Sequence, residues 1–299
     1  MKLTNNLALP DVFMDLCADD PYDKGEADFS TTELISPPWL RMLQRNHWDD
    51  ITDDISQRFW SMSGNAKHYI LEKIAKRNPD RYIAEERYYI EVDGYKVGGK
   101  LDLFDKQTNH LWDYKESSVW KLSFGDFSEW TAQASINRYI LSENGIHPAK
   151  ASNICLLKDW KQRDSKYKKD YPVAPMVPVH LHLMTKEVTL RYIRDRVKLH
   201  ADARERGVAK VCDAKDRWQR GEAWAIKKKG VKNAIRGGVH KSEEEARKHL
   251  ATLPAGHSIE YRPGEQIRCE GYCNVAQFCS FGKQWINNRQ GEEIEDVSN

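Results

Sequence analysis

No stretch of the 299-residue chain is apolar for long enough to span a bilayer. The opening residues, Met1-Lys2-Leu3-Thr4-Asn5-Asn6, lack the charged-then-apolar order of a secretory leader. These two absences set the expectation of a cytoplasmic protein. No glycine-rich phosphate loop opens a helix, which argues against a P-loop or dinucleotide-binding enzyme. Charge of one sign is also lacking. The 47 Lys and Arg against 45 Asp and Glu leave a net +2, so bulk charge does not mark a nucleic-acid binder. Cysteine is scarce, six in all, and three fall within eleven residues near the C-terminus, a clustering that in a cytosolic chain points to metal before disulfides.

What is present suits a globular protein with a core. The apolar share is 40% and the charged share 31%, and the length fits one large domain or a domain with a small appendage. Basic residues cluster locally. Residues 158–169 hold six Lys or Arg with aromatics between them, and Lys227-Lys228-Lys229 forms a second group. Each cluster fits phosphate contact, and each taken alone fits a solvated surface better.

Residues 1–27 are polar, with Asp, Pro and Gly scattered through them, and read as an irregular arm. Ser30-Thr31-Thr32-Glu33 opens a helix with a hydroxyl cap and an early Glu. Residues 54–77 predict a longer helix, with Ile55, Phe59, Met62, Ala66, Tyr69, Ile70 and Ile74 as its apolar face. Strands follow over 81–92, 95–104 and 111–116, the first two joined by Asp93-Gly94, a strong hairpin turn. A helix over 126–143, a strand over 151–160, a strand over 177–184 and a helix over 185–206 complete a mixed α/β sheet flanked by helices. Beyond residue 220 the character changes. Residues 221–263 read as a small ββαβ insertion, 264–290 carry three of the cysteines, and 291–299 read as a disordered acidic tail.

Two aspartates stand out within this order. Asp102 closes Gly98-Gly99-Lys100-Leu101-Asp102, and Asp113 opens Asp113-Tyr114-Lys115 on the next strand. Asp is depleted in strand interiors, yet both sit in runs of strand formers. Alternation along a strand puts Lys115 on the face of Asp113, with Trp112 and Tyr114 on the other. Carboxylates on adjacent strands can share a divalent cation, which is the chemistry of metal-assisted phosphodiester cleavage. The tripeptide alone is uninformative, since Asp-x-Lys also occurs at Asp159, Asp164 and Asp213. Only Asp113 lies in a strand that follows a strand ending in Gly-x-x-Asp.

Taken together, these pieces resemble a PD-(D/E)XK nuclease of the RecB/AddB type, a group that includes phage exonuclease-like proteins and the CRISPR adaptation nucleases. The matching pieces are residues 29–34, Gly64-Asn65-Ala66-Lys67-His68, residues 98–102, Asp113-Tyr114-Lys115, Trp130-Thr131-Ala132-Gln133 and the segment Cys269 … Cys273 … Cys279. The resemblance implies a restriction-endonuclease-like core over 28–220. It implies His68, Asp102 and Asp113 as ligands of Mg²⁺ or Mn²⁺, with the Tyr114 carbonyl as a further oxygen ligand. Lys115 would activate the attacking water, and Gln133 would approach the DNA or that water. The family's tyrosine one turn after this glutamine is replaced by Asn137, with Tyr139 two residues later.

The spacing of Cys269, Cys273 and Cys279 is close to the family's cluster motif, with one extra residue in the first gap. The resemblance implies a [4Fe–4S] cluster, and four thiolates fit zinc equally. Cys212 is the favoured fourth ligand and Cys17 the runner-up, while Cys155 lies in an apolar strand and reads as core. The function implied is a Mg²⁺- or Mn²⁺-dependent deoxyribonuclease of a bacterial or phage-infected cell, an exonuclease, processing DNA ends in recombination, replication or repair. Its partners would be DNA and a single-strand annealing or other recombination protein. Trp120, Phe124, Phe127 and residues 158–169 are candidate DNA-facing groups. The alternative is a DNA-binding or assembly protein that keeps the fold without the catalysis.

Overall fold

The computed structural model describes residues 1–19 and 24–297, the side chains of Phe124 and residues 290–297 excepted. It is mixed α/β, as expected, with sheets flanked by helices. It divides into two compact units, Met1–Met42 with Asp49–Ala209, and Leu43–Trp48 with Lys210–Asn299. Among the described residues no helix is long and apolar enough to cross a membrane.

The first unit begins with β1 (Lys2–Thr4) and α1 (Asp11–Ala18), where an irregular arm was expected. Residues 20–23 of that arm lie outside the described residues. Next come β2 (Phe29–Ser30), α2 (Thr31–Ile35), α3 (Pro38–Asn46), whose residues from Leu43 onward count with the second unit, β3 (Thr52–Asp54) and α4 (Phe59–Ala75). β1 pairs in parallel with β3, a partnership some fifty residues away that a three-residue pattern cannot announce. The cap read at Ser30 is present: its Oγ accepts from the Glu33 amide at 3.1 Å.

The expected hairpin is one antiparallel ladder broken in the middle. It contains β4 (Tyr82–Ala84), β5 (Arg87–Val92), β6 (Tyr95–Lys100) and β7 (Leu103–Asp105). Asp93 and Gly94 both take positive φ, 50° and 82°, as the tight turn requires. Outward from it, Val92 faces Tyr95, Arg87 faces Lys100 and Ala84 faces Leu103. The two strands predicted over 81–92 and 95–104 are therefore each interrupted, at Glu85-Glu86 and at Leu101-Asp102. β5 and β6 join β2 in a three-stranded sheet, whereas β4 and β7 enter a five-stranded one.

The five-stranded sheet is completed by β8 (His110–Ser117), β9 (Lys150–Leu157) and β10 (Met176–His180), in the order β10-β9-β8-β7-β4. Between β8 and β9 run α5 (Val119–Phe124) and α6 (Ser128–Glu143), and β8 pairs with β9 in parallel. After β9, the basic segment contains the short α7 (Gln162–Tyr167), and α8 (Lys186–Glu205) follows β10. Phe29, Leu34, Val97, Ile136, Ile140, Ile193 and Val197 form one core, where α2, α6 and α8 meet the smaller sheet. Each such side chain contributes about 1.5–3 kcal/mol when fully buried. Gly98 and Gly99 are there for packing. A Cβ on Gly99 would lie 2.7 Å from Asn137 Oδ1 and one on Gly98 would lie 2.8 Å from Ala27 Cβ.

The face predicted as apolar on α4 is not the face it buries. Phe59, Tyr69, Ile70 and Ile74 are all at least half exposed. The helix instead turns polar side chains to the sheet: Ser63 Oγ donates to Glu116 Oε1 at 2.9 Å, Lys67 pairs with the same carboxylate, and His68 reaches Glu85. Charge pairing sets its rotation, and apolar periodicity alone could not show it.

In the second unit, β11 (Gln219–Arg220) precedes β12 (Ala223–Lys228), β13 (Ala234–His240), α9 (Glu243–Leu250) and β14 (His257–Arg262). The three longer strands form an antiparallel sheet in the order β13-β12-β14. β15 (Glu265–Gln266), α10 (Ile267–Gly271) and α11 (Ser280–Val297) follow. The acidic end read as disordered continues α11 as far as Val297, with 298–299 outside the described residues.

Asp105 ties down the far end of the ladder. It is buried, meets Arg81 Nη2 at 2.9 Å and accepts from the Gln107 amide at 2.9 Å. The Arg81 guanidinium, ahead of the opposing effect of burial, holds its carboxyl down at about 2. Such a group stabilises the fold above the unfolded value of about 4 and loses that contribution as pH falls towards its folded value. Asp105→Asn is expected to lower stability by about 1–3 kcal/mol at pH 7. In urea titrations the gap from wild type should shrink between pH 4 and pH 2.

Candidate metal and phosphate site

The ladder register builds the centre of the site. Counting outward from Asp93-Gly94 puts Glu85 opposite Asp102, and the Glu85 amide donates to the Asp102 carbonyl at 3.2 Å. Glu85 has φ of 55°, a left-handed conformation uncommon for a non-glycine residue and often found at functional positions. α4 brings His68 over this pair. His68 Nδ1 lies 2.8 Å from Glu85 Oε1 and 3.8 Å from Asp102 Oδ1. One ligand atom from each of His68, Glu85 and Asp102 falls within 4.8 Å of the others, a group that could hold a metal ion.

Sequence reading missed Glu85. The signal was available: the Asp93-Gly94 turn fixes the register, and the residue facing Asp102 follows by counting. Asp113, expected as a ligand beside Asp102, is not one of the three groups that fall within 4.8 Å of one another, though its charge acts on both His68 and Asp102. Its Oδ2 lies 2.8 Å from Lys115 Nζ and its Oδ1 accepts from Gln133 Nε2 at 3.3 Å. Gln133 Oε1 in turn accepts from Lys115 Nζ at 2.9 Å, so α6 holds the lysine from the helix side. The Tyr114 amide donates to Asp102 Oδ2 at 2.8 Å, which ties this residue to the same carboxylate. Its ring meets His68 edge-on, with centroids 5.6 Å apart.

The charges in this space are unbalanced. Burial, then the like charge of Asp113, pushes the Asp102 carboxyl up to about 7. Burial acts against the Lys115 ammonium, but Asp113 and Asp102 outweigh it and keep the lysine above its ordinary value. The hydrogen bond with Glu85 raises His68. Burial works to raise Glu85, but His68 and Lys100 prevail and hold it low, Lys100 Nζ lying 2.5 Å from Oε2. A divalent cation among these carboxylates would relieve the repulsion that lifts Asp102. The group opens onto a cleft of about 640 Å³ lined by His68, Glu85, Lys100, Asp102, Gln133 and Asn137, among others.

Of the two residues near the family's missing tyrosine, Asn137 lines this cleft and accepts from Thr31 Oγ1 at 2.8 Å. Tyr139 is buried in the core. Among the candidate DNA-facing residues, Trp120 is half exposed and Phe127 stacks on Trp130 at 5.0 Å, while the Phe124 side chain lies outside the described residues.

All six cysteines are thiols. Cys155 is fully buried in the first unit, and Cys17, in the same unit, donates to Met62 Sδ at 3.6 Å. The other four share the second unit. Burial pushes the Cys212 thiol up to about 12, and charge at Cys279 and Cys273 adds to the rise. Burial likewise lifts Cys269 to about 11, with Cys273 and Cys279 contributing. Cys273 is raised by burial too, with Cys279 again acting on it. The Arg268 amide donates to the Arg217 carbonyl at 3.1 Å, which sets the segment after Cys212 beside the one that carries Cys269. Arg217 donates to the Cys212 carbonyl, and Arg268 donates to the Asp216 carbonyl at 2.7 Å, fastening the two segments.

Manganese at about a hundredfold its dissociation constant should stabilise the protein by about 2.7 kcal/mol, or about 5–10 °C in a fluorimetric melt. Glu85→Gln is expected to remove most of that shift. Glu86→Gln, whose wild-type carboxylate accepts from Tyr88 Oη, should leave it unchanged.

No family model matches the chain, and no curated protein matches it. Among solved structures, one described as the crystal structure of SSO0001 is similar to it, at 16% identity and a TM-score of 0.41. That match covers 64% of this chain and 84% of the other.

Proposed function

We propose that the chain is a metal-dependent deoxyribonuclease that hydrolyses phosphodiester bonds at DNA ends. The observation that carries this reading is the convergence of His68, Glu85 and Asp102 in one cleft beside a lysine held by Asp113 and Gln133. The RecB-type resemblance of the sequence supports it. The donor set suits a hard divalent cation, since two of its three groups are carboxylates, and the histidine favours Mn²⁺ alongside Mg²⁺. When bound, such a cation supplies Lewis-acid polarisation of a phosphoryl oxygen and offsets the crowded negative charge.

The protein's own residues supply the rest. Lys115, kept protonated by two aspartates, offers a fixed positive charge to the phosphoryl group as negative charge builds on it. Gln133 fixes the direction of that ammonium, leaving less reorganisation for the transition state. Lys100 and His68 fix the two oxygens of Glu85. The left-handed backbone at Glu85 turns this carboxylate towards His68, where an unbroken strand would continue its alternation.

The second unit is proposed to hold a [4Fe–4S] cluster on Cys212, Cys269, Cys273 and Cys279. The donor set suits such a cluster: four free thiols in one unit, on segments joined by Arg268, whose side chain donates to the Asp216 carbonyl and whose amide donates to the Arg217 carbonyl. Its role in this reading is structural, joining the 212 segment to the C-terminal cysteines.

Wild type is expected to degrade end-labelled linear DNA with Mg²⁺ or Mn²⁺ and to leave covalently closed circular DNA intact. Lys115→Ala should lose about 10²–10³-fold in rate. Equal cleavage by the two proteins would remove the assigned site. Anaerobically purified wild type should be brown and contain iron. Cys273→Ala should lose the colour and melt at a lower temperature, whereas colourless wild type carrying zinc would replace the cluster with a zinc staple.

A further inference from the structure

The proposed nuclease site leaves one group of side chains unused. The first turn of α4 exposes two adjacent aromatics, Phe59 at 57% and Trp60 at 50%, set edge to face with centroids 4.9 Å apart. Large aromatic rings stabilise a fold by being covered, and two neighbours left half open on a folded unit mark a surface with something to bind. The ammonium of Lys158 sits 4.3 Å from the Trp60 ring centroid. Lys158 opens the basic segment of residues 158–169.

The place of this group in the fold ties it to the cleft. The Lys158 amide donates to the Ser117 carbonyl at 2.9 Å, which is the end of the strand carrying Asp113 and Lys115. One turn beyond Trp60, Ser63 bonds to Glu116 on that same strand at 2.9 Å. Trp60 and the candidate metal ligand His68 are eight residues apart on one helix, about 12 Å along its axis. That span corresponds to roughly three or four nucleotides at the stacked rise of about 3.4 Å. At the same end of the sheet, the Val119 amide donates to Asp159 at 2.7 Å, so half-exposed Trp120 begins next to the basic segment.

Exposed aromatic faces combined with cations are how proteins grip unpaired strands, because every base has a face to stack. A duplex keeps those faces covered by its own neighbouring bases and offers mainly phosphates and groove edges. We propose that Phe59 and Trp60, with Lys158 behind them, form a base-stacking rim that makes the cleft select an unpaired strand. This inference rests on the nuclease reading of the cleft and names its substrate class. Phe59 and Trp60 take the bases, and Lys158 and its basic neighbours take the phosphates.

Fluorescence anisotropy in EDTA, where hydrolysis is stopped, separates the possibilities. The probes are a fluorescein-labelled 20-nucleotide oligothymidylate and a labelled 20-base-pair blunt duplex. Wild type is expected to bind the single strand at least tenfold more tightly. Trp60→Ala should weaken single-strand binding about 5- to 150-fold while duplex binding stays the same. Trp60→Phe, which keeps a stacking face, should restore most of the loss, and Lys158→Gln should reduce the salt slope by about one ion. Circular dichroism melts confirm that each variant folds. Trp60→Ala that binds oligothymidylate as wild type does, or wild type that cleaves DNA yet holds both probes equally, overturns the rim and leaves the nuclease reading standing. Wild type that neither binds nor cleaves DNA overturns both.

Discussion

A two-residue turn sets what the first unit can do. Asp93-Gly94 closes the β5–β6 hairpin in one register, and that register carries through the break in both strands to set Glu85 against Asp102. A slip of one residue would exchange inward and outward faces along the ladder and part the two carboxylates. α4 and β8 then have a fixed target. The helix meets the pair through His68, and the strand meets it through the Tyr114 amide on Asp102. The packing of Gly98 and Gly99 against Asn137 and Ala27 protects the same register from the other side.

Three carboxylates in so small and covered a space are costly on their own. Removing an ion from water is offset only when partners are close and well directed. Here each has one: Lys100 and His68 for Glu85, the Tyr114 amide for Asp102, Lys115 and Gln133 for Asp113. The compensation is incomplete at Asp102, whose carboxyl is driven up to about 7 by burial and by Asp113. An apolar cluster of the same volume would serve stability better, so these groups fit a site selected for its charge. The neighbouring Ser63–Lys67–Glu116 group extends the same logic along α4, setting the rotation of the helix through polar contacts.

Local chemistry was legible in the sequence wherever one short segment determined it. The Ser30 cap, the Asp93-Gly94 turn, the α6 helix carrying Gln133 and the placement of Asp113 with Lys115 all follow from residues within a few positions of each other. Glu85 was not found because nothing in Ala84-Glu85-Glu86 marks it, and only a count across the hairpin does. The buried face of α4 was misread because the helix is amphipathic in the ordinary sense but sits on a polar patch, leaving Tyr69, Ile70 and Ile74 in the open. β1 and α1 were missed because their partners lie far along the chain. Of the two candidates for a fourth cysteine, Cys17 donates to Met62 Sδ at 3.6 Å, and Cys212 lies in the unit that holds the other three.

The sheet order also has a bearing on time. β8 lies in the middle of its sheet, with β7 on one side and β9 on the other. The β7 side is a short local return, whereas the β9 side joins residues about forty positions apart, Asp113 facing Asn153. Loop closure makes the second pairing slow compared with the first. Glu85, Asp102 and Asp113 are thus linked through short loops, while the helix that holds Lys115 lies in the long crossover between β8 and β9. A chain that closes its short loops first would bring the carboxylates together in water, where their repulsion is weakest, and enclose them when the crossover docks.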